Sequence, residues 1–418
     1  MGPRGGAARR DGLAGGPVLS GGTAVPQTAV GTTVTVDVGP VAHGGHCVAR
    51  HEGRVLFVRH ALPGERVRAL VTEGHESSSF WRADAVEVLT ASADRVEPPC
   101  PFAGPGRCGG CDWQHASPAA QRELKAAVVR EQLSRLAGLD VEVAVEEVPG
   151  GHLGWRTRVR WAVDAAGRAG LRVHRSHEVV HVDRCRIAHD LVTAADVTGR
   201  SWPGVGAVEV AASTATGETL VRPDGAGPGE LTEVVRGRAF RVTGGGFWQV
   251  HPGAAEALLA AVLDGLEPRP RESVLDLYAG VGLFAAFLAD RVGPGGRVTV
   301  VESDRSAVQD ARHNLADLPR VRVERGRVDS VLRRMRLRHA DLVVLDPPRS
   351  GAGRSVVAQL SRVGARRLAY VACDPAALAR DLRWFADGGY ALRSLRALDL
   401  FPMTHHVECV AVLERAAR

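Results

Sequence analysis

The sequence predicts an α/β fold: a doubly wound, mostly parallel sheet with one antiparallel strand, preceded by a small OB-like β-barrel and a mixed β-rich segment. Three observations carry this. From about residue 244, apolar strand patterns alternate with helical patterns. Residues 27–91 instead alternate apolar and polar residues in short runs broken by Gly and Pro. The chain closes on two strand patterns joined by a short loop without room for a crossover helix.

Taken in order, residues 1–26 are rich in Gly and Arg and poor in large apolar side chains, so they cannot offset their ordering entropy and are expected to be disordered. In residues 27–91, "VGP", "HGGH" and "LPGE" separate short strands, as in a small barrel. Residues 92–243 form a central domain that opens with a cysteine cluster. A helix follows, with Ser117 as N-cap, Pro118 at the first helical position and Gly138 at its end; residues 117–137 are expected to pack on the catalytic domain. The rest of this domain reads as β-rich with Gly turns. Residues 244–418 supply strands at Ser273–Leu277, Arg297–Val301, Arg320–Glu324, Asp341–Leu345 and Arg367–Ala372. A hairpin near Tyr390–Leu398 and Val407–Leu413 completes a seven-stranded sheet.

Composition narrows the class. Hydrophobic residues make up 45% and charged residues 24%, ordinary for a soluble globular protein. A net charge of +6 permits a polyanionic partner. Lys125 is the only lysine, so the cationic groups are otherwise planar guanidinium forks suited to phosphates and base stacking. No apolar run approaches the roughly 20 residues of a membrane span, and Met1–Gln27 lacks the apolar core of a secretory signal. A cytoplasmic protein is expected, monomeric and without membrane partners. In a reducing compartment its seven cysteines do not form a disulfide framework; clustered ones point to metal, isolated ones to packing or catalysis.

The first β-α-β unit reads "SVLDLYAGVGLFAAFLADRVGPGGRVTVVESD". Asp276 lies near the end of the strand, Gly280 and Gly282 form the turn into a helix, and Glu302 ends the next strand, placed to accept ribose hydroxyl bonds. The third glycine of a dinucleotide fingerprint is Ala285 here. The shorter turn suits a ligand without a pyrophosphate, S-adenosylmethionine, ahead of a nicotinamide dinucleotide, and the layout is that of a class I methyltransferase. In "LDPPRSGAG", Asp346 emerges at the carboxyl end of the fourth strand, where open α/β sheets bind ligands; it would face the cofactor or the target base, or merely close an Asx-turn.

"YVACDPAALARDL" delivers Cys373 to the same edge. A buried inert thiol is the plain alternative. The chemical one is that C5 of uracil lacks a useful lone pair, so a methyl donor cannot be attacked by it directly. A thiolate added to C6 makes C5 nucleophilic. The C5 proton must then leave to a carboxylate, and Glu408 in "DLFPMTHHVECVAVLER" begins the strand beside that of Cys373. Cys409 points to the opposite face and packs.

Residues 27–91 resemble a TRAM domain, an OB-like barrel that holds RNA. "LDLYAGVGLF", "LDPPRSGAG", "YVACDPAALARDL" and "FPMTHHVECVAVLER" resemble, in order, the signatures of the RNA uracil-C5 methyltransferase family across roughly residues 30–415. The resemblance implies Cys373 as nucleophile and Glu408 as base, with Gln249 of "GGGFWQVH", Tyr278, Glu302 and Asp346 as cofactor-binding positions. Related cytosine enzymes carry a second cysteine after the strand-four prolines; Arg349 stands there, which favours uracil. Asp374 replaces the family's usual asparagine after the nucleophile and is expected to turn away from the thiol or cap the next helix.

"PPCPFAGPGRCGGCDWQH" holds Cys100, Cys108 and Cys111, and Cys185 follows in "VVHVDRCRI". Four cysteines alone fit zinc or an iron–sulfur cluster. The resemblance implies [4Fe–4S], although the family pattern Cys-x5-Cys-Gly-Gly-Cys has a longer first gap here, seven residues. It also implies an RNA partner, ribosomal RNA ahead of transfer RNA. Trp113, Trp155, Trp161, Trp248 and His115 are candidate stacking faces for it, though most tryptophans in a 418-residue chain belong to the core and none is singled out. Two rivals are methylation of a small molecule, which leaves the barrel without a task, and an RNA-binding module with a decayed catalytic domain, against which Cys373 and Glu408 both speak.

Overall fold

The computed structural model describes residues 28–337 and 339–416; the tail expected to be disordered, residues 1–26, lies outside them. Strands β1 (Thr33–Val41), β2 (Cys47–His51), β3 (Arg54–Arg59), β4 (Arg66–Glu73) and β5 (Phe80–Thr90) close into a barrel in the order β1-β2-β3-β5-β4. The two-residue side-chain period fills it: Val34, Val36, Val38, Leu56, Val58, Val67 and Ala69 point inward and are buried.

Helix α1 (Pro118–Gln132) starts where the sequence places it. The Ser117 side chain accepts the Ala120 N–H and Pro118 occupies the first turn. A π-helical turn, Leu133–Ala137, prolongs it to Gly138, which ends it in the left-handed conformation at φ 67°. One face of α1 (Ala120, Leu124, Val128) belongs to the barrel core; another (Ala126, Val129, Leu133) belongs to the core of the large sheet. The helix therefore binds the barrel to the sheet. Fully buried Lys125 locks this arrangement: its Nζ donates to the Asp399 carboxylate at 2.6 Å and to the Phe401 carbonyl at 3.0 Å. Removing one member of such a pair costs about 3–5 kcal/mol, because the other charge stays buried.

Strand β6 (Val145–Glu147) leads to a five-stranded antiparallel sheet of β7 (Arg158–Val163), β8 (Ala169–Arg172), β9 (Val179–Val180), β10 (Ala207–Ala212) and β11 (Thr219–Pro223), with short helix α2 (Asp190–Ala194) between β9 and β10. Hairpin β12 (Glu230–Val235) and β13 (Arg238–Thr243) then precedes the large sheet.

That sheet alternates β14 (Ser273–Leu277), β15 (Arg297–Glu302), β16 (Val321–Arg325), β17 (Leu342–Leu345) and β18 (Arg367–Ala372) with helices α4 (Leu283–Val292), α5 (Arg305–Asn314), α6 (Val328–Met335) and α7 (Arg354–Val363). Helix α3 (Ala254–Leu266) precedes it; α8 (Pro375–Asp387), β19 (Tyr390–Asp399) and β20 (Glu408–Arg415) end it. The order is β16-β15-β14-β17-β18-β20-β19-β6, with β20 antiparallel to both neighbours. The sheet has eight strands where the sequence predicts seven. The eighth is β6, which adds in parallel to the edge strand β19 (Ala397 opposite Val145). Beyond Gly138 the chain turns back with Val143 and Val145 buried against the sheet's core, which brings its backbone to the open edge.

Two apolar layers sandwich the sheet, one from α3, α4 and α5, the other from α6, α7 and α8. The β12–β13 hairpin docks on α5: the Asp310 carboxylate accepts from Arg241 Nε at 2.9 Å and from the Thr243 N–H at 2.7 Å. This suspends the following "GGGFWQVH" loop over the carboxyl edge of the sheet. Among the described residues no helix is long and apolar enough to cross a membrane.

Candidate active site

At the end of β14 the chain must turn tightly into α4. Buried Asp276 holds that turn, accepting the Ala285 N–H in the first turn of α4 at 2.8 Å. Its acidity is weakened to about 7, chiefly by burial, with Asp346 and Glu302 adding repulsion. Tyr278, Gly280 and Gly282 take positive φ of 61°, 54° and 93°. A Cβ on Gly282 would stand 2.8 Å from Leu315 Cδ1, so this glycine is needed for both space and conformation. Tyr278 lacks that freedom, and its left-handed backbone stores on the order of 1 kcal/mol at the site. Glu302, at the end of β15, accepts the Gly280 N–H at 2.9 Å with one oxygen and the Asp304 N–H at 2.8 Å with the other. Its carboxylate is thereby fixed at the mouth of the turn.

A single cavity of about 1150 Å³ runs from this turn along the sheet edge. Gln249, Tyr278, Gly280, Glu302, Asp346, Cys373 and Glu408 all line it. Gly282 sits behind the turn, at the N-cap of α4, and does not face the cavity.

Strand register sets the far end. Ala372 of β18 pairs with Cys409 of β20 in antiparallel fashion, so the next residues, Cys373 and Glu408, stand opposite each other. Cys409 is fully buried on the other face, in the core. The Cys373 thiol is pushed up to about 11, first by burial, then by Glu408 and Asp346, with Arg349 pulling the other way. Glu408 is held well above the carboxylate range by burial and by Asp346, again opposed by Arg349. Burial lifts Asp346 to about 7. Buried acids crowded together cannot all ionise, so the resting site retains protons at neutral pH.

Asp374 turns from the thiol. One carboxylate oxygen accepts the Ala377 N–H at 2.8 Å and caps α8; the other faces His43 Nε2 at 3.1 Å.

Two residues of this site escaped sequence reasoning. Phe247, 68% exposed, stands at the cavity wall beside Gln249; an aromatic after three glycines was the available signal. Arg349, noted only for what it replaces, faces Cys373 and Glu408 electrostatically. None of the candidate stacking rings is accessible. Trp113, Trp155, Trp161, Trp248 and His115 are all buried, because large rings are more useful filling the core than facing water. Besides Phe247, accessible aromatic surface lies on the barrel, where Arg82 lies 5.6 Å and 5.8 Å over the rings of Phe80 and Phe57, and Phe80 is exposed.

Cys100, Cys108, Cys111 and Cys185 line a separate cavity of about 50 Å³ with Phe102, Val182 and Ile187. Gly109 is required there, since a Cβ would approach the His174 backbone nitrogen to 2.5 Å. Backbone N–H groups of Gly110, Ile187 and Ala188 point at the sulfurs of Cys108 and Cys185 and Arg156 attracts both, but burial outweighs them and holds both thiols above their ordinary range. Among the described residues, no group of three or more His, Cys, Asp or Glu side chains converges tightly enough to hold a single metal ion.

Comparison with known proteins places these features in a family. Residues 27–83 match the TRAM domain, and residues 230–416 match the family described as tRNA (Uracil-5-)-methyltransferase. The chain is 56% identical to an uncharacterized RNA methyltransferase of Streptomyces coelicolor, over 94% of this chain and 95% of the relative. It is 39% identical to another of Bifidobacterium longum, over 90% and 95%. The fold is that of the Pyrococcus abyssi tRNA (uracil-54, C5)-methyltransferase crystallised with S-adenosyl-L-homocysteine: TM-score 0.68, 22% identity, covering 90% of this chain and 99% of that one.

Proposed function

The chain belongs to the TRAM-containing, S-adenosylmethionine-dependent RNA uracil-5 methyltransferase family, and from that premise we propose that it methylates C5 of one uridine in ribosomal RNA through a covalent adduct on Cys373. The carrying observation is the opposition of Cys373 and Glu408 in the same cavity as the Glu302 turn. S-adenosylmethionine supplies an electrophilic methyl group; Glu302 would accept from its ribose, with Gln249, Tyr278, Gly280 and Asp346 around it.

The steps balance on this chain's own groups. The Cys373 thiolate adds to C6, and the C5–C6 electron pair moves toward O4. C5 then takes the methyl group as its bond to the donor sulfonium breaks, leaving the donor as the neutral thioether. Glu408, ionised, removes the C5 proton; the double bond re-forms and Sγ leaves as thiolate. Arg349 favours both ionised forms against the burial that opposes them. Phe247 offers a ring face to a base drawn out of its stack, and the Phe57–Phe80–Arg82 face of the barrel suits the flanking strand.

The four-cysteine cavity would hold a [4Fe–4S] cluster. The support is that all four thiols line one cavity, with Arg156 and backbone N–H groups placed to balance a bound cluster's charge. The cluster's part here is structural, tying the segment around Cys108 to that around Cys185. Ribosomal RNA is placed ahead of transfer RNA on the pairing of a barrel with a four-cysteine motif, and the protein is taken as a cytoplasmic monomer.

The test is transfer of labelled methyl to RNA from a strain lacking the gene, with the 5-methyluridine mapped. Incorporation in 23S or 16S RNA is expected; incorporation in tRNA alone would move the substrate, and none would remove the reading.

A further inference from the structure

The barrel does more than stand beside the catalytic sheet. Its β1–β2 connection, "AHGGH", reaches the back of the nucleophile: His43, Gly44, Gly45, Arg349, Cys373 and His406 line one small cavity of about 120 Å³. This connection is pinned. The Gly45 carbonyl accepts Trp113 Nε1–H at 2.9 Å, and a Cβ on Gly45 would come within 2.5 Å of His405 Cβ, so the loop presses on the segment leading into Glu408. His43 spans the gap to Asp374, the residue directly after the nucleophile. An uncompensated carboxylate there would oppose formation of a thiolate one residue away.

We propose that His43 is a positioning residue of the catalytic site, its imidazolium holding and neutralising the Asp374 carboxylate so that the barrel completes the surroundings of the Cys373 sulfur. The proposal rests on Cys373 being the nucleophile. Asp374 has an independent reason to keep its orientation, the cap on α8, and His43 then supplies the opposite charge. The hydrogen bond to Asp374 raises the His43 pKa against a smaller effect of burial, and Glu131 of α1 adds attraction. The other charged or titratable groups in this small cavity are Arg349, His405 and His406, with His46 on the same loop as His43. A raised imidazole pKa carries the pair to higher pH than a free imidazole would, and the pair is lost as pH rises through that value.

The experiment follows alkylation of Cys373 by iodoacetamide, read by mass spectrometry of its own peptide, in the full chain across pH 6–10. The variants are His43→Ala, Asp374→Asn and the double substitution. His43→Ala is expected to slow alkylation at pH 8 by roughly three- to tenfold and to move the profile to higher pH. Asp374→Asn placed on top of it should restore the wild-type rate, because the carboxylate that needed compensation is gone. Wild-type behaviour of His43→Ala overturns the proposal, and so does a loss that Asp374→Asn fails to rescue. Alkylation needs no RNA. The expected pattern in a protein that transfers no methyl to RNA would therefore uphold the His43 role while removing the proposed reaction.

Discussion

Cys373 and the four-cysteine cavity use one side chain with different neighbours, and burial raises thiols in both. Around Cys373 stand Glu408 and Asp346, burial opposes ionisation, and Arg349 alone among the groups named pulls toward the thiolate. Around Cys108 and Cys185, arginine and backbone N–H groups point at sulfur. The first arrangement keeps a thiol protonated until a substrate excludes water and takes up the electron pair. In the second, burial still outweighs those donors and keeps both free thiols protonated, so a bound cation would have to draw the thiolates out. Residue type therefore fails to assign the role, and so does the direction of the shift; what differs is the neighbour, carboxylates beside Cys373 and other cysteines beside Cys108 and Cys185.

The sharpest way to break the contrast is Cys373→Ala. Methyl transfer should fall by roughly 10⁴-fold or more, with bound iron unchanged. Equal loss of iron would mean that the two regions are not separate.

Glu408→Gln should slow turnover by roughly 10²- to 10⁴-fold and trap the methylated base on the enzyme, visible as a protein–RNA adduct that survives denaturation. The same variant should raise Tm near neutral pH. In the folded protein the acid titrates well above its ordinary 4.5. Between those two values the native state binds the extra proton, so stability declines as pH rises, and an uncharged glutamine removes that cost.

Because the thiol sits at about 11, alkylation of free Cys373 should rise about tenfold per pH unit from neutrality toward that value. A plateau near pH 8 would show that the carboxylates do not act on it.

Phe247→Ala should raise KM for RNA about tenfold with a smaller effect on kcat, as expected for lost stacking on an unstacked base. An unchanged KM would remove the ring from recognition.

Smallest in catalytic effect is Cys111→Ser. Iron should drop from about four per chain to near background, and Tm by several degrees, while Cys373 alkylation keeps its pH profile. One equivalent of zinc in the wild type would replace the cluster reading with a single-ion site.

Much of this was legible along the chain because local chemistry dictates it. Ser117–Pro118 and Gly138 mark the ends of α1 and its π-helical extension, and the strands of the large sheet fall within a residue or two of their apolar patterns. Positions near the sheet's carboxyl edge follow from strand order, so Asp346, Cys373 and Glu302 could be named early. The candidate tryptophans are core, in line with the expectation for most of them, whereas which rings stay accessible, Phe247 and Phe80, depends on packing that no local pattern shows. Strand β6 was missed because an edge pairing of three residues has no pattern of its own; it depends on where α1 leaves the chain.

The sequence by itself determined the alternation of strands and helices, the glycine turn with its acid, and the presence of a thiol and a carboxylate at strand ends, since each depends on residues close together in the chain. Only the tertiary structure decided that Cys373 faces Glu408, that His43 of the barrel reaches Asp374, and that Lys125 is buried on Asp399. Those contacts join segments 35 to 331 residues apart. Their energies come from burial and charge at short range, which no local pattern encodes.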